Sequence, residues 1–290
     1  MRIAIASGKG GTGKTLLATG LARVLTDSHK ASVSLLDCDV EEPNDHLFLA
    51  VEVEQVETVS LPVPRIDAQR CKACGRCAQV CAFHALALVR DKVLFFPQLC
   101  HSCGSCVLQC PEHAIAEVAR PLGRLEFGRA GEIAFGQGVL EVGQAMATPL
   151  IRGLKERAAE HLPECALTLL DAPPGNACPV VETLRGADYA ILVTEPTPFG
   201  LHDLQIAVEL AGRELGIPIG VVVNRVGLGD RGVEEYCRAT ALPILLRLPF
   251  DRRIAEAYAH GKLWVDALPE YRGELLWLYE RVVELTGALL

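Results

Sequence analysis

Aromatic side chains are scarce, at 5% of 290 residues, with two tryptophans and two methionines. No apolar run approaches the roughly 20 residues that a membrane-spanning helix requires, so stable membrane insertion is not expected. There is no basic tract, and the formal net charge is −8. A grip on nucleic acid calls for clustered Lys and Arg, so nucleic acid is not an expected partner. No leader pattern precedes the first apolar run, which starts at Arg2, and a cytoplasmic location is expected.

Apolar residues make up 50% of the chain, enough for a sizeable core, and there are twelve cysteines. In a secreted chain that number would read as a disulfide framework. The spacing points elsewhere. Cys71, Cys74, Cys77 and Cys81 form one run, and Cys100, Cys103, Cys106 and Cys110 form another. Both read C-x-x-C-x-x-C-x-x-x-C, offset by 29 residues from Cys71 to Cys100. Each run leads into an alanine-containing turn, Phe83-His84-Ala85-Leu86 and Glu112-His113-Ala114-Ile115. Thiolates at such spacing favour Fe–S clusters or zinc, and three triplet-spaced cysteines per run suit a cubane better than two Cys₄ zinc sites.

The pattern resembles that of a two-cluster bacterial ferredoxin, in which the fourth cysteine of each run serves the other cluster. The resemblance implies one [4Fe-4S] cluster on Cys71, Cys74, Cys77 and Cys110, and a second on Cys100, Cys103, Cys106 and Cys81. The second run ends in the usual Cys110-Pro111, whereas the first ends in Cys81-Ala82. So small a repeated unit has little core of its own, and metal ligation must supply much of its folding energy.

Near the start, Gly8-Lys9-Gly10-Gly11-Thr12-Gly13-Lys14-Thr15 fits G-x-x-x-x-G-K-[ST] between a strand, Arg2–Ala6, and a helix, Lys14–Leu25. Glycines let backbone N–H groups approach phosphate oxygens, and the helix start adds a favourable partial charge. Lys14 is expected on the β- and γ-phosphates of ATP or ADP and Thr15 on Mg²⁺. Val33–Leu36 reads as a second buried strand, and Val51–Pro64 lacks helical periodicity. Beyond the cysteines, Leu125–Phe127 and Glu132–Phe135 suggest a hairpin, and Pro149–His161 a helix. Apolar runs then alternate with amphipathic ones to the end, with helical patterns at Ile254–Gly261 and Glu270–Thr286. Such alternation predicts an α/β fold with a mostly parallel sheet covered on both faces. The cysteine block interrupts it once. We therefore expect a discontinuous P-loop ATPase domain, 1–64 and 119–290, and a small α+β ferredoxin-like insertion, 65–118.

Lys9, directly after the first loop glycine, makes the chain similar to the deviant Walker A ATPases: MinD, ParA, Mrp and the nitrogenase iron protein. The similarity covers most of the chain outside the cysteine block. It implies that Lys9 reaches a partner copy's phosphates in an ATP-bound homodimer. It places switch I at Asp37-Cys38-Asp39-Val40-Glu41-Glu42-Pro43-Asn44, with Asp39 orienting the attacking water and Asp37 supporting Mg²⁺. It places Walker B at Leu167–Asp171, with Asp171 on the Mg²⁺ shell, and switch II at Ala172-Pro173-Pro174-Gly175, where Gly175 turns toward a γ-phosphate. Asn224, Arg225 and Pro249 fall where the family binds adenine.

Four cysteines lie outside the runs: Cys38, Cys165, Cys178 and Cys237. None forms the C-x-x-C pair of Mrp-type carriers. Cys178 follows switch II, near the place of a cluster ligand in the nitrogenase iron protein, although packing at a helix start is the plainer reading. Leu275-Leu276-Trp277-Leu278-Tyr279 is similar to the membrane-targeting helix of MinD, but little positive charge accompanies it, which favours core packing. The functional expectation is an Mg²⁺-dependent ATPase whose dimer switch drives electron transfer or metal-cofactor assembly on a redox protein or apo-metalloprotein. The alternatives are a positioning ATPase with a redox-sensing ferredoxin, and an amidoligase-like enzyme.

Overall fold

The computed structural model describes residues 1–287; the last three residues of the stretch 119–290 lie outside the described residues. The strands are β1 (Arg2–Ala6), β2 (Val33–Asp37), β3 (Glu52–Ile66), β4 (Leu86–Val89), β5 (Lys92–Phe95), β6 (Ile115–Ala130), β7 (Ile133–Leu140), β8 (Leu167–Asp171), β9 (Tyr189–Thr194), β10 (Ile219–Val226) and β11 (Ile244–Pro249). Nine of them form one sheet in the order β11-β10-β9-β1-β8-β2-β7-β6-β3. From β11 to β7 all neighbours are parallel, while β6 and β3 run antiparallel to the strands they join.

The central strand β1 shows why the parallel part reads as unbroken apolar sequence. Ile3, Ala4 and Ile5 are all fully buried, so both faces of the strand meet core. One face packs on the helices Lys14–Asp27 and Arg272–Thr286 through Leu17, Leu21, Leu275 and Leu278. The other packs on Thr148–His161, Cys178–Leu184, Pro198–Val208 and Gly232–Ala239 through Leu150, Leu154, Leu184, Leu204 and Val233. Trp264 ties the first layer to the P-loop helix by donating from Nε1 to the Leu16 carbonyl at 2.7 Å. Leu275, Leu278 and Tyr279 are core residues, so the stretch similar to a membrane-targeting helix spends its apolar face internally; Trp277 alone of its rings is exposed. Among the described residues, no helix is long and apolar enough to cross a membrane.

The stretch Val51–Pro64 becomes most of β3, the edge strand, paired with β6 from Glu52–Arg129 to Ile66–Ile115. Its prolines, Pro62 and Pro64, are tolerated because one side of an edge strand has no ladder to break. The two strands run past both ends of the expected cysteine block, so residues 67–114 form the tip of a long antiparallel arm. Within the tip, helices Arg76–Gln79 and Ser105–Leu108 follow the 29-residue repeat, as do two pairs of non-glycine residues with left-handed backbone, Ala73 with Ser102 and His84 with His113. Its core is three buried residues, Cys77, Leu86 and Ile115.

Candidate functional site: a nucleotide cleft and two cysteine nests

Gly8–Thr15, Asp37, Asp171, Asn224, Arg225 and Pro249 all lie at or beyond the carboxyl ends of β1, β2, β8, β10 and β11. In open α/β sheets this rim is where ligand crevices form. A cleft of about 390 Å³ opens there. Gly10, Gly11, Gly13, Lys14 and Thr15 line it, together with Asp39, Asn224, Arg225 and Pro249. Phe250 and Tyr258 add aromatic surface beside Pro249.

Two glycines of the loop are required by geometry. Gly13 has φ +102°, and a Cβ there would stand 2.5 Å from Asn224 Nδ2. At Gly8 a Cβ would meet the Asp203 backbone carbonyl oxygen at 2.6 Å, so this residue serves close packing of the helix Pro198–Val208. Asn224 is committed to the loop: Nδ2 donates to the Thr12 carbonyl at 2.7 Å, and Oδ1 accepts from the Arg225 N–H at 2.8 Å. It therefore shapes the cleft from behind as well as lining it.

Lys14 is buried, which pushes its ammonium below the usual lysine range, while Asp171 and Asp39 pull it back up. Thr15 Oγ1 donates to Asp171 Oδ2 at 2.7 Å. Asp37 accepts backbone N–H groups from Asp39, Asn44 and Asp45 at 3.0, 2.8 and 3.1 Å. Asp45 is a site residue that the sequence reading missed. It closes the acidic stretch begun at Asp37, and carboxylate oxygens of Asp37, Asp45 and Asp171 lie within 4.8 Å of one another. Burial pushes all three above the usual carboxylate range, with mutual repulsion adding to it for Asp37 and Asp45. Burial likewise raises Asp39 to about 6. Both Asp45 oxygens and Asp171 Oδ1 are buried without a hydrogen-bond partner. A hard divalent cation is the counter-charge that this oxygen set fits.

Lys9 is not among the residues that line the cleft; its Nζ meets Glu195 Oε2 at 2.8 Å. Glu195 also receives Arg225 Nη1 on Oε1 at 2.6 Å. The sequence reading missed Glu195 as well; its one signal was its place just after β9.

In the tip of the arm, Cys71, Cys74, Cys77 and Cys110 line one cavity, and Cys81, Cys100, Cys103 and Cys106 line another. The fourth cysteine of each run thus stands with three of the other. The backbone N–H of Ala85 donates to Cys81 Sγ at 3.2 Å and that of Ala114 to Cys110 Sγ at 3.3 Å, one repeat apart. Among the described residues, no three of the eight sulfurs lie within 4.8 Å of one another. Each nest offers four thiolates, a donor set that suits an Fe–S cluster or zinc. Phe83 stacks on His101 with ring centroids 3.6 Å apart, beside the second nest. Cys38 and Cys237 are buried, and burial pushes both thiols up. Cys178 is exposed, at the start of a seven-residue helix.

The sheet, loop and cleft define a P-loop nucleotide-binding protein. Residues 3–264 match the CobQ/CobB/MinD/ParA nucleotide binding domain, and the chain belongs to that family. An uncharacterised protein of Methanocaldococcus jannaschii is 32% identical over 286 residues, covering 98% of this chain and 97% of that one. A cytosolic Fe-S cluster assembly factor NUBP1 homolog of Caenorhabditis briggsae is 42% identical over 289 residues, covering 93% and 75%. The septum site-determining protein MinD of Pyrococcus horikoshii, solved with Mg-ADP, shares the fold at a TM-score of 0.59 and 21% identity, covering 99% and 97%.

Proposed function

We propose that this chain is an Mg²⁺-dependent ATPase that carries two [4Fe-4S] clusters and couples a nucleotide-driven homodimer switch to electron transfer or metal-cofactor assembly. In this reading 1–64 and 119–290 are the ATPase domain and 65–118 the iron–sulfur insertion. The observation that carries it is the placement of two cysteine quartets at the tip of an arm whose base is part of the nucleotide-binding sheet. Resemblance to an Fe-S cluster assembly factor supports the iron–sulfur part.

The residues divide the work. Backbone N–H groups from Gly10 to Thr15 and the Lys14 ammonium receive the phosphates. Thr15 and Asp171, with Asp37 and Asp45 behind them, hold Mg²⁺ or its water shell. Asp39 orients the attacking water, and Gly175 lets switch II approach the γ-phosphate. Arg225, Pro249 and Phe250 enclose the base. Bound clusters would supply one-electron chemistry on the thiolates of Cys71, Cys74, Cys77 and Cys110 and of Cys81, Cys100, Cys103 and Cys106.

A physical route joins the two parts. The helix Thr148–His161 starts beside the switch loops: Ala147 and Ile151 share a cavity of about 440 Å³ with Asp39, Glu42 and Pro174. Its far end holds the arm, where Arg157 pairs with Glu57 of β3 and His161 packs on Phe127 of β6 at 4.8 Å. ATP biases the arm only if its partner prefers one nucleotide state. The test is anaerobic purification followed by iron analysis, EPR, and ATP hydrolysis with and without Mg²⁺. About eight iron atoms per chain and Mg²⁺-dependent hydrolysis are expected. Clusters that stay and are reduced select electron transfer; clusters that leave for an apo-acceptor select assembly. Iron-free protein whose hydrolysis is stimulated by lipid or DNA would replace the proposal with a positioning ATPase.

A further inference from the structure

We propose that Glu195 is a positioning residue that parks Lys9 in cis, and that two copies close over ATP only after this ion pair opens. The inference rests on the homodimer switch proposed above. It starts from where Lys9 points. Lys14 and Thr15 line the cleft, whereas Lys9 is not among its lining residues and its ammonium sits on Glu195 Oε2 at 2.8 Å.

The backbone that carries the carboxylate is held in place. The Thr197 N–H donates to the Glu195 carbonyl at 2.8 Å, and Asp230 N–H donates to the next carbonyl, Pro196, at 2.8 Å. Gly200 presses on the same turn, where a Cβ would stand 2.2 Å from the Glu195 carbonyl oxygen. Lys9 is held at its backbone, since buried Ser7 donates from Oγ to the Lys9 carbonyl at 2.6 Å. Only the lysine side chain is free to leave.

The second cation makes leaving inexpensive. A carboxylate at 10% exposure that lost its only partner would be stranded, and breaking such pairs is strongly destabilising. Glu195 has Arg225 on its other oxygen at 2.6 Å, so it stays compensated when Lys9 departs. Arg225 also lines the cleft beside Asn224. One carboxylate therefore links the nucleotide pocket to the lysine that the switch must release.

A dimer has two such pairs to open, so their contributions multiply. With about threefold per pair, the worth of an ion pair whose lysine stays partly solvated and whose carboxylate keeps a second cation, Glu195→Gln should lower the protein concentration for half-dimerisation with Mg²⁺ and adenylyl imidodiphosphate about tenfold. Sedimentation velocity reads this on the full, cluster-loaded chain, and a thermal shift with Mg-ADP shows that the variant is folded. Glu195→Asp, too short to bridge both cations, gives the same direction and replaces the glutamine variant if that one does not fold. The gain must vanish in Lys9→Ala/Glu195→Gln relative to Lys9→Ala, because Glu195 acts through Lys9. An unchanged or raised half-dimerisation concentration, or a gain that persists without Lys9, overturns the proposal alone. Wild-type protein that stays monomeric with the analogue overturns the homodimer reading and the parking role with it.

Discussion

Lys14 sits between the cleft and two carboxylates, so its charge is aimed where phosphates would lie. Lys14→Ala should weaken nucleotide binding by roughly 10- to 100-fold, the worth of a charged hydrogen bond, as isothermal titration would show. Asp39 lines the same cleft, and Asp39→Ala should keep binding while hydrolysis falls by about 10²–10⁴-fold, measured as phosphate release. Asp45 gives a pH prediction. In the unfolded chain the carboxyls deprotonate in the ordinary range near pH 4. In the folded, metal-free protein Asp39 keeps its proton to about pH 6, and burial holds the protons of Asp37, Asp45 and Asp171 as well. Through that window the folded state binds more protons than the unfolded one, so the contribution of this group to stability falls as pH rises. Thermal midpoints without metal should show a shallower fall from pH 4 upward in Asp45→Asn than in wild type, and Mg-ADP should stabilise the variant less. The loop was legible because its spacing is local, and Asp171 through the family resemblance that places it at the end of an apolar strand. Asp45 and Glu195 were not, because each acquires its role only from residues on other strands.

The β3–β6 arm is the element that carries the cysteines, and the hydrophobic pattern gave little warning of it. Most of β3 is exposed and two of its residues are prolines, so the period-2 alternation of Val59, Leu61 and Val63 marks only part of its length. Pairing with β6 over the whole length, rather than burial, holds it extended. At its tip the grouping of cysteines yields a test based on iron content. Cys81→Ser and Cys110→Ser should each lower iron from about eight to about four atoms per chain. Cys71→Ser/Cys110→Ser should also retain about four, while Cys71→Ser/Cys81→Ser should retain almost none. Equal losses in the two double variants would refute the cross-over. Both pairs are needed, since run-by-run ligation predicts the reverse ranking.

For the molecule as a whole, two very different cores share one chain. The sheet is sandwiched between extensive apolar layers, while the hydrophobic cluster at the arm's tip is small, Cys77 and Leu86 with Ile115 of β6. Chelating iron should leave the tip unable to hold its fold. Limited proteolysis should then cut within residues 67–114, while stabilisation by Mg-ADP persists in the remainder. Loss of both together would mean that tip and sheet fold as one unit. The sequence by itself determined the phosphate loop, the two cysteine runs and the α/β class, because each is written in spacings of a few residues or in the hydrophobic period. Only the tertiary structure decided that Asp45 joins Asp37 and Asp171 and that Lys9 rests on Glu195. Those contacts join residues separated by 126 to 186 positions or set by a loop's path. Sheet order and strand pairing bring them together, and neither is encoded in local pattern.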